Sequence, residues 1–308
     1  MKKHDIYLYG MVCKSTAFLL FDKFPEANSY NELKEKYIFP GGETGMAATI
    51  LNNLGLSVKM DGNYMGYNTG DFIKKYYDKI GVDISSMYCD PDYEGIEDHI
   101  IIGKDTRAIF GMFGAYFKDY FENNIIRWNT PSENDIIGVK AAGIDPFFDK
   151  QSLIAAQFCV KHNVPFVTID EKPNNEVCNL ASIIVVSSEY IRDWMPDYYS
   201  NEGKSLLIKK FAENSNALVI LTDGSDDMFY GRNGEVKTMK VKKIETVSTL
   251  GAGDTFKAGC VYGLSQGWDD EKIIEFASSC AAVACTKFPL AFNPPKIEEI
   301  INLMNMKI

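Results

Sequence analysis

The stretch Thr246-Val-Ser-Thr-Leu-Gly251-Ala-Gly253-Asp254-Thr-Phe-Lys-Ala-Gly259 runs from a glycine hinge into a predicted helix. The first N–H groups of a helix have no partner within it and lie at its positive end, so they suit a phosphate or a developing oxyanion. Gly251, Ala252 and Gly253 have almost no side chains, so an anion can approach these N–H groups closely. Asp254 is then a carboxylate beside the anion, where it could take a proton from an attacking hydroxyl. The pattern indicates phosphoryl transfer to an alcohol.

On both sides of this motif, apolar runs of strand length alternate with helical patterns, which is typical of an α/β sheet. Predicted strands cover residues 6–10, 57–61, 136–139, 166–170, 183–187 and 217–222. Predicted helices cover residues 45–54, 69–80, 150–162, 202–213, 254–266 and 270–286. In the helix that follows the glycine hinge, one face repeats at helical spacing and is predicted to be core: Phe256, Cys260, Val261 and Leu264.

Two segments interrupt the alternation, residues 15–39 and the hairpin pattern of residues 97–112 with its turn at 103–106. Hairpins inside a β-α alternation usually form a separate small sheet, which here could act as a lid over a site at the strand ends. We therefore predict one domain over residues 1–308, with a lid built from about 13–40 and 96–114. An uncovered lid face would favour a homodimer, because the hairpin is rich in apolar side chains, namely Ile100, Ile101, Ile102 and Phe110.

The overall composition is that of an ordinary acidic globular protein. Its 308 residues are 46% hydrophobic and 24% charged, with 42 Asp plus Glu against 32 Lys plus Arg and a formal charge of −10. No basic stripe is present, which argues against nucleic acid as a partner. The seven cysteines show no CxxC or zinc-like spacing and are predicted to be reduced. Without a signal-peptide pattern or an apolar run approaching ~20 residues, the sequence predicts a cytoplasmic protein with no membrane partner.

A second glycine site, Phe39-Pro-Gly41-Gly42-Glu-Thr-Gly45-Met46, leads into the predicted helix at 45–54. Two adjacent glycines let the backbone pass close to a ligand and aim N–H groups at hydroxyl oxygens. Taken separately, Pro-Gly-Gly is a common turn, and Gly-x-Gly-Asp before a helix is often a tight turn with an N-cap aspartate. The two sites together favour ligand binding.

Gly41-Gly42, the hairpin and the motif at residues 248–256 together resemble the ribokinase-like (PfkB-type) carbohydrate kinase family over nearly the full length. Residues 66–70 and 80–83 are similar to two early segments of that family. The resemblance implies an α/β fold with a Rossmann-like three-layer core, a mainly parallel sheet and a small β-sheet lid. It also implies an ATP-dependent kinase, with Mg²⁺ bound as the ATP complex.

By the same resemblance, Asp254 is the base and the N–H groups of residues 251–254 form the anion hole. These roles suit phosphoryl transfer, which depends on alignment and charge stabilisation. The chain has no Gly-x-x-x-x-Gly-Lys-Ser/Thr loop, so the phosphates must be held at this helix start instead.

On the nucleotide side, Thr222-Asp-Gly224 resembles the family's Thr-x-Gly turn, which meets the ATP phosphates and ribose. Ser187 and Ser278 are also predicted to bind the nucleotide. Glu189 stands where family members carry the glutamate of Asn-x-x-Glu, which helps to hold the magnesium water shell. The alternatives are an ordinary strand exit at Thr222 and a solvated helix-start glutamate at Glu189.

The residues predicted to bind the phosphoryl acceptor depart further from the family pattern, although Gly41 and Gly42 remain as predicted substrate contacts. Ser15 occupies the position of an aspartate that binds substrate hydroxyls, and Met46 that of an asparagine. These changes favour an acceptor with an apolar portion. Arg107 on the hairpin could meet a substrate phosphate or carboxylate, with a plain surface arginine as the alternative.

Three functions are compatible with these motifs. The leading prediction is a kinase for a small sugar or sugar derivative. A nucleoside kinase of the same fold is a rival, and a catalytically weak sugar- or nucleotide-binding sensor is another, because Ser15, Met46 and Ser248 depart from the family pattern. A dinucleotide-binding oxidoreductase is excluded, because residues 10–15 lack Gly-x-Gly-x-x-Gly after the first strand.

Overall fold

A computed structural model of the protein describes residues 3–22, 24–103 and 107–306. Its strands are β1 (Ile6–Gly10), β2 (Cys13–Leu20), β3 (Leu33–Gly41), β4 (Val58–Gly62), β5 (Met65–Gly66), β6 (Cys89–Asp90), β7 (Glu97–Ile102), β8 (Arg107–Gly111), β9 (Ala141–Ile144), β10 (Phe166–Ile169), β11 (Ile183–Ser187), β12 (Leu218–Thr222), β13 (Met228–Gly231) and β14 (Lys237–Met239). Its α-helices are α1 (Glu43–Asn53), α2 (Gly70–Ile80), α3 (Phe113–Asn123), α4 (Glu133–Ile136), α5 (Asp149–Lys161), α6 (Glu176–Leu180), α7 (Ser188–Trp194), α8 (Asn201–Ala212), α9 (Ala252–Ser265), α10 (Asp270–Cys285) and α11 (Ile297–Met304).

The large sheet has eight strands in the order β14-β13-β12-β11-β10-β9-β1-β4. All pairs from β12 to β4 are parallel, and β13 and β14 add an antiparallel edge. Its inner strands read as continuous apolar runs because helices cover both faces. The predicted α/β fold with a mainly parallel sheet is confirmed.

Two apolar clusters lie on opposite faces of this sheet. Along β1, Ile6 and Leu8 belong to one cluster, and Tyr7 and Tyr9 belong to the other, as the alternation of a strand requires. Helices α1, α9 and α10 supply the first cluster, and α5 and α8 supply the second. The core therefore has three layers, helix, sheet and helix.

The predicted strand at residues 136–139 is wrong. Ile136 ends the short helix α4 and is fully buried, and the strand beside β1 is Ala141–Ile144 instead. The sequence Ala-Ala-Gly-Ile is a weak strand signal, but its small residues leave room for neighbours: a Cβ on Gly143 would lie 2.9 Å from Leu8 Cδ2 and 3.3 Å from Lys257 Cε. Packing, rather than β-propensity, selects this segment.

The six predicted helices are all present, with ends displaced by at most two residues. In α9 the side chains of Phe256, Cys260 and Val261 are buried as predicted, and Leu264 is half-buried. This helix packs closely on α10, because a Cβ on Gly259 would lie 2.6 Å from Ala277 Cα. Such close packing fixes the direction in which α9 begins.

The small sheet has four strands in the order β3-β2-β7-β8. The predicted hairpin forms between β7 and β8, from Asp98 opposite Gly111 to Ile102 opposite Arg107, and residues 104–106 of its turn lie outside the described residues. Ile100 and Ile102 are buried against the core, contrary to the uncovered face expected for them, because alternate residues of β7 face inward. Ile109 and Phe110 on β8 are exposed.

All seven cysteines are free, and five of them are buried. In the described part of the chain, we find no helix with the length and apolar character needed to span a membrane.

Candidate active site

Polar residues stand at the carboxyl ends of three neighbouring parallel strands. Asp145 follows β9, Asp170 follows β10 and Ser187 ends β11, so these three polar residues share one edge of the sheet. Helices α1 and α9 begin beside this edge, because Thr44 near the start of α1 and Lys257 near the start of α9 both contact Asp145. Open α/β sheets bind their ligands at this edge.

The start of α9 offers bare backbone donors. Gly251 adopts a left-handed conformation with φ of 78°, and its carbonyl accepts from Thr255 N at 3.0 Å and from Thr255 Oγ1 at 2.7 Å. In the described chain the N–H groups of Gly253 and Asp254 have no hydrogen-bond acceptor, whereas that of Ala252 reaches Thr249 O at 3.3 Å. A Cβ on Gly253 would meet nothing within 4 Å. Two donors without a partner among the described residues therefore lie at the start of α9, where Gly253 is exposed.

Asp254 lies in the first turn of α9 and is half-buried. Burial raises the pKa of its carboxyl to about 6, with Lys257 lowering it and the carboxylates of Asp145 and Asp170 raising it further. A pKa near 6 leaves this group ionised at neutral pH, yet makes it a stronger base than an ordinary aspartate.

The Gly41-Gly42 turn joins β3 to α1. Gly42 has φ of 83°, and a Cβ there would lie 2.5 Å from Met11 O, so only glycine fits. The same carbonyl accepts from Thr44 N at 3.1 Å and Gly45 N at 3.3 Å. Ser15 is buried directly against Gly41, where a Cβ would lie 2.0 Å from Ser15 Oγ.

Met46 lies on α1 and packs against the Gly251 turn, so it links the Gly42 turn to the Gly251 turn. Its side chain is only 4% exposed, and its Cγ would lie 3.6 Å from a Cβ placed on Gly251. Leu290 Cδ2 would lie 3.0 Å from the same Cβ. The helix that follows Gly42 therefore contacts the turn that precedes Asp254, so two motifs about 200 residues apart in the sequence meet at one site.

Lys257 and Asp145 form a buried ion pair under this site, which the sequence reasoning missed. Asp145 Oδ2 accepts from Met11 N at 3.0 Å and from Thr44 Oγ1 at 2.8 Å, and Lys257 Nζ donates to Thr44 Oγ1 at 3.3 Å. One signal was present: a lysine one helical turn after Asp254, in an otherwise apolar stretch.

Glu43 and Asp170 were also missed. Glu43 opens α1 and is half-buried, and burial followed by the charges of Asp145 and Asp254 raises its pKa to about 8. Asp170 accepts from Ser187 N at 2.7 Å, and burial raises the pKa of its carboxyl. Asp170 adds negative charge beside Asp254, whereas Glu43 is mostly protonated at neutral pH.

The nucleotide residues predicted from the sequence lie partly together. Ser187 and Thr222 are register partners at the ends of β11 and β12, and Ser187 Oγ caps α7 by accepting from Tyr190 N at 3.1 Å. Gly224 is exposed with φ of 57°. Ser278 is half-buried on α10, the helix that packs on α9.

Residues suited to a hydrated metal lie near this edge. Glu189 is exposed in the first turn of α7, and its charge contributes to raising the pKa of Asp170. Among the described residues, no group of three or more His, Cys, Asp or Glu side chains could hold a metal ion. One or two carboxylates suit Mg²⁺ that is bound chiefly by phosphates and keeps several waters.

Arg107 connects the small sheet to the α9 motif. It is exposed on β8, and its Nη1 donates to Thr249 Oγ1 in the loop before Gly251. Its charge also lowers the pKa of Asp254. The arginine therefore lies beside the start of α9.

The chain is similar to several known kinases. It is 23% identical to the 5-dehydro-2-deoxygluconokinase of Bacillus subtilis over 319 residues, which covers 98% of this chain and 96% of the relative. It is 26% identical to the nucleoside kinase of Methanocaldococcus jannaschii over 259 residues, which covers 82% of this chain and 80% of the relative. The structure of Arabidopsis thaliana ribokinase, complexed with ribose and ATP, matches with a TM-score of 0.79 at 16% identity, covering 99% of this chain and 100% of that one.

A family model described as pfkB family carbohydrate kinase matches residues 12–297, which is nearly the whole chain. The resemblance inferred from Gly41-Gly42 and the motif at 248–256 is thereby confirmed. The chain belongs to the pfkB family of carbohydrate kinases.

Proposed function

We propose that this kinase transfers the γ-phosphoryl group of ATP to a hydroxyl of a small sugar or sugar derivative. The observation that carries the proposal is the meeting of the Gly42 turn with the Gly251 turn through Met46, beside a half-buried Asp254. The turn with Gly42 lies on the acceptor side, and the start of α9 lies on the phosphate side. The Arabidopsis ribokinase complex with ribose and ATP supports the same pair of substrates.

In the proposed mechanism Asp254 takes the proton of the acceptor hydroxyl as its oxygen attacks the γ-phosphorus. The bond from phosphorus to the β,γ-bridging oxygen breaks, and ADP leaves with that electron pair. The N–H groups of Gly251 to Asp254 form the anion hole, with those of Gly253 and Asp254 free to donate. Mg²⁺ bound with ATP would offset phosphate charge, with Glu189 and Asp170 as the residues that would hold its waters.

The acceptor is tested with a panel of D-ribose, 5-dehydro-2-deoxygluconate and inosine, measured by ADP release. The first two are expected to be phosphorylated in preference to inosine. Faster turnover of inosine would favour a nucleoside kinase, the alternative that the Methanocaldococcus relative supports. Nucleotide binding without ADP release on any acceptor would instead favour the sensor.

The anion hole is tested by Gly253→Ala. The added Cβ meets nothing within 4 Å, so the free energy of unfolding should stay the same or rise by up to about 1 kcal/mol through higher helix propensity. Turnover should fall by about 10- to 100-fold, because the methyl group occupies the approach to donors that stabilise the transition state. Steady-state kinetics and urea unfolding measure both effects.

Gly114→Ala is the matched control, since Gly114 is an exposed glycine in helix α3 whose Cβ would also meet nothing within 4 Å. It should leave turnover unchanged. Equal turnover in the two variants would exclude a phosphate beside Gly253.

We also propose a homodimer through the small sheet. Its edge strand β8 exposes Ile109 and Phe110, and Ile38 on β3 is exposed as well. Exposed apolar side chains on a sheet edge favour pairing with a second copy. Sedimentation equilibrium of the wild type and of Phe110→Asp tests this, and a wild-type monomer would exclude the dimer.

A further inference from the structure

The buried ion pair of Lys257 and Asp145 joins four parts of the fold. Asp145 follows β9, Lys257 belongs to α9, Thr44 lies in the first turn of α1, and Met11 follows β1. Asp145 ion-pairs with Lys257 and accepts from Met11 N and Thr44 Oγ1, while Lys257 also donates to Thr44 Oγ1. We call these residues the clip.

The clip spans the two halves of the proposed site. Thr44 is two residues after Gly42 of the acceptor turn, and Lys257 is one helical turn after Asp254. Contacts within the clip therefore set how far the acceptor turn lies from the base.

Two strand positions leave room for the clip. A Cβ on Gly10 would lie 1.9 Å from Asp145 Oδ2 and 2.3 Å from Thr44 Oγ1. A Cβ on Gly143 would lie 3.3 Å from Lys257 Cε. The backbone is thus shaped around these side chains at β1 and β9.

Stability alone is a weak reason for such a pair. The side chains of Lys257 and Asp145 are 1% and 0% exposed, so both ions lose their hydration. Replacing a buried ion pair by apolar side chains is often neutral or stabilising, whereas removing one partner is strongly destabilising. The placement of the pair beside Asp254 offers a functional reason instead.

We propose that Lys257, Asp145 and Thr44 are positioning residues. They hold the Gly42 turn against helix α9, which carries Asp254, and they place a fixed positive charge beside Asp254. This inference rests on the proposed function. It assigns the clip no contact with either substrate.

Charged side chains on the elements around Asp254 affect its ionisation. Lys257 on α9 and Arg107 on β8 favour its ionised form, whereas Asp145 after β9 and Asp170 after β10 oppose it. Glu43 at the start of α1 is a further carboxylate that interacts with it. Of these charges Lys257 has the largest effect on Asp254, so its loss should make Asp254 harder to ionise.

The test compares Lys257→Met, Thr44→Val and the double variant Lys257→Met/Asp145→Leu. Turnover is measured against pH with whichever of D-ribose, 5-dehydro-2-deoxygluconate and inosine the wild type uses fastest, and nucleotide affinity with AMP-PNP. The double variant should fold, because no buried charge is left unpaired. Its turnover should fall by about 30- to 100-fold, with AMP-PNP affinity within about threefold of the wild type, since small misplacements cost about that much.

The pH profile separates positioning from mere stability. In Lys257→Met the acidic limb of the profile should move to higher pH, because the main charge favouring ionised Asp254 is gone. In the double variant the limb should move less, because the Asp145 carboxylate, which opposes ionisation of Asp254, is removed as well. In Thr44→Val turnover should fall by about 3- to 10-fold, because a hydrogen bond of the clip is lost. The acidic limb of its pH profile should not move, because no charge is removed. If Lys257→Met does not fold, the turnover of the double variant decides whether the clip positions the site.

Lys59→Met/Asp83→Asn is the matched control, since Lys59 is also a buried lysine, paired to Asp83 at 3.4 Å. It should keep wild-type turnover. A double clip variant with wild-type turnover would overturn the inference while leaving the proposed function intact. A wild type that phosphorylates none of the three acceptors would remove the proposed function and this inference together.

Discussion

Asp254→Asn is expected to lower turnover by about 10²- to 10⁴-fold, the usual contribution of a positioned base. The amide is nearly the same size as the carboxylate, so the backbone donors at the start of α9 should keep their geometry. It cannot take the acceptor proton. The affinity for AMP-PNP, measured by calorimetry, should therefore change little while ADP release nearly stops.

The same variant should be at least as stable as the wild type at pH 7. Because burial raises the folded-state pKa of Asp254 to about 6, ionising this group costs stability as the pH rises towards neutrality, and the amide has no such cost. Asp71→Asn is a suitable control, since Asp71 is an exposed aspartate in the first turn of another helix. Wild-type turnover in Asp254→Asn would rule out base catalysis by this residue, and unfolding of the variant would show a structural role.

Turnover is also expected to fall about tenfold for each pH unit below the pKa of Asp254, which lies at about 6. The base works only when ionised, so activity is present above this pKa and is lost as the pH falls through it. An ordinary aspartate, with a pKa of about 3.9, would keep activity to about two units lower. The profile of kcat/KM against pH measures the difference, with circular dichroism confirming that the protein stays folded.

The contribution of Glu43 to this pH profile must be separated from that of Asp254, because the pKa of Glu43 is raised to about 8 and the two carboxyl groups interact. In Glu43→Gln the acidic limb should stay near pH 6, because Glu43, with its pKa raised to about 8, is already protonated over this range. A profile that stays flat well below pH 6 in the wild type would contradict a raised pKa at the base.

The sequence predicted the helices and most core strands because these elements follow local apolar periodicity. It failed at residues 136–139, where the apolar run ends a short helix, and the true strand Ala141–Ile144 is made of small residues selected by packing. That error also hid Asp145, because a polar residue directly after a strand end draws attention only when the strand is known.

The candidate site shows the same limit. Gly42, Gly251 and Asp254 stand in recognisable local motifs, so they could be predicted from the sequence. The pairing of Lys257 with Asp145 joins residues 112 positions apart, and the contact of Lys257 with Thr44 spans 213 positions. No local pattern reports such contacts, and the burial of Ile100 and Ile102 in the small sheet likewise depends on which face meets the core.

A crystal structure with ADP, aluminium fluoride, Mg²⁺ and the fastest acceptor of the panel tests the central claim most directly. We expect the planar fluoride group to accept hydrogen bonds from the N–H groups of Gly253 and Asp254, with the acceptor hydroxyl about 3 Å from the Asp254 carboxylate. A fluoride group bound away from the start of α9, or a carboxylate of Asp254 turned away from the hydroxyl, would contradict it.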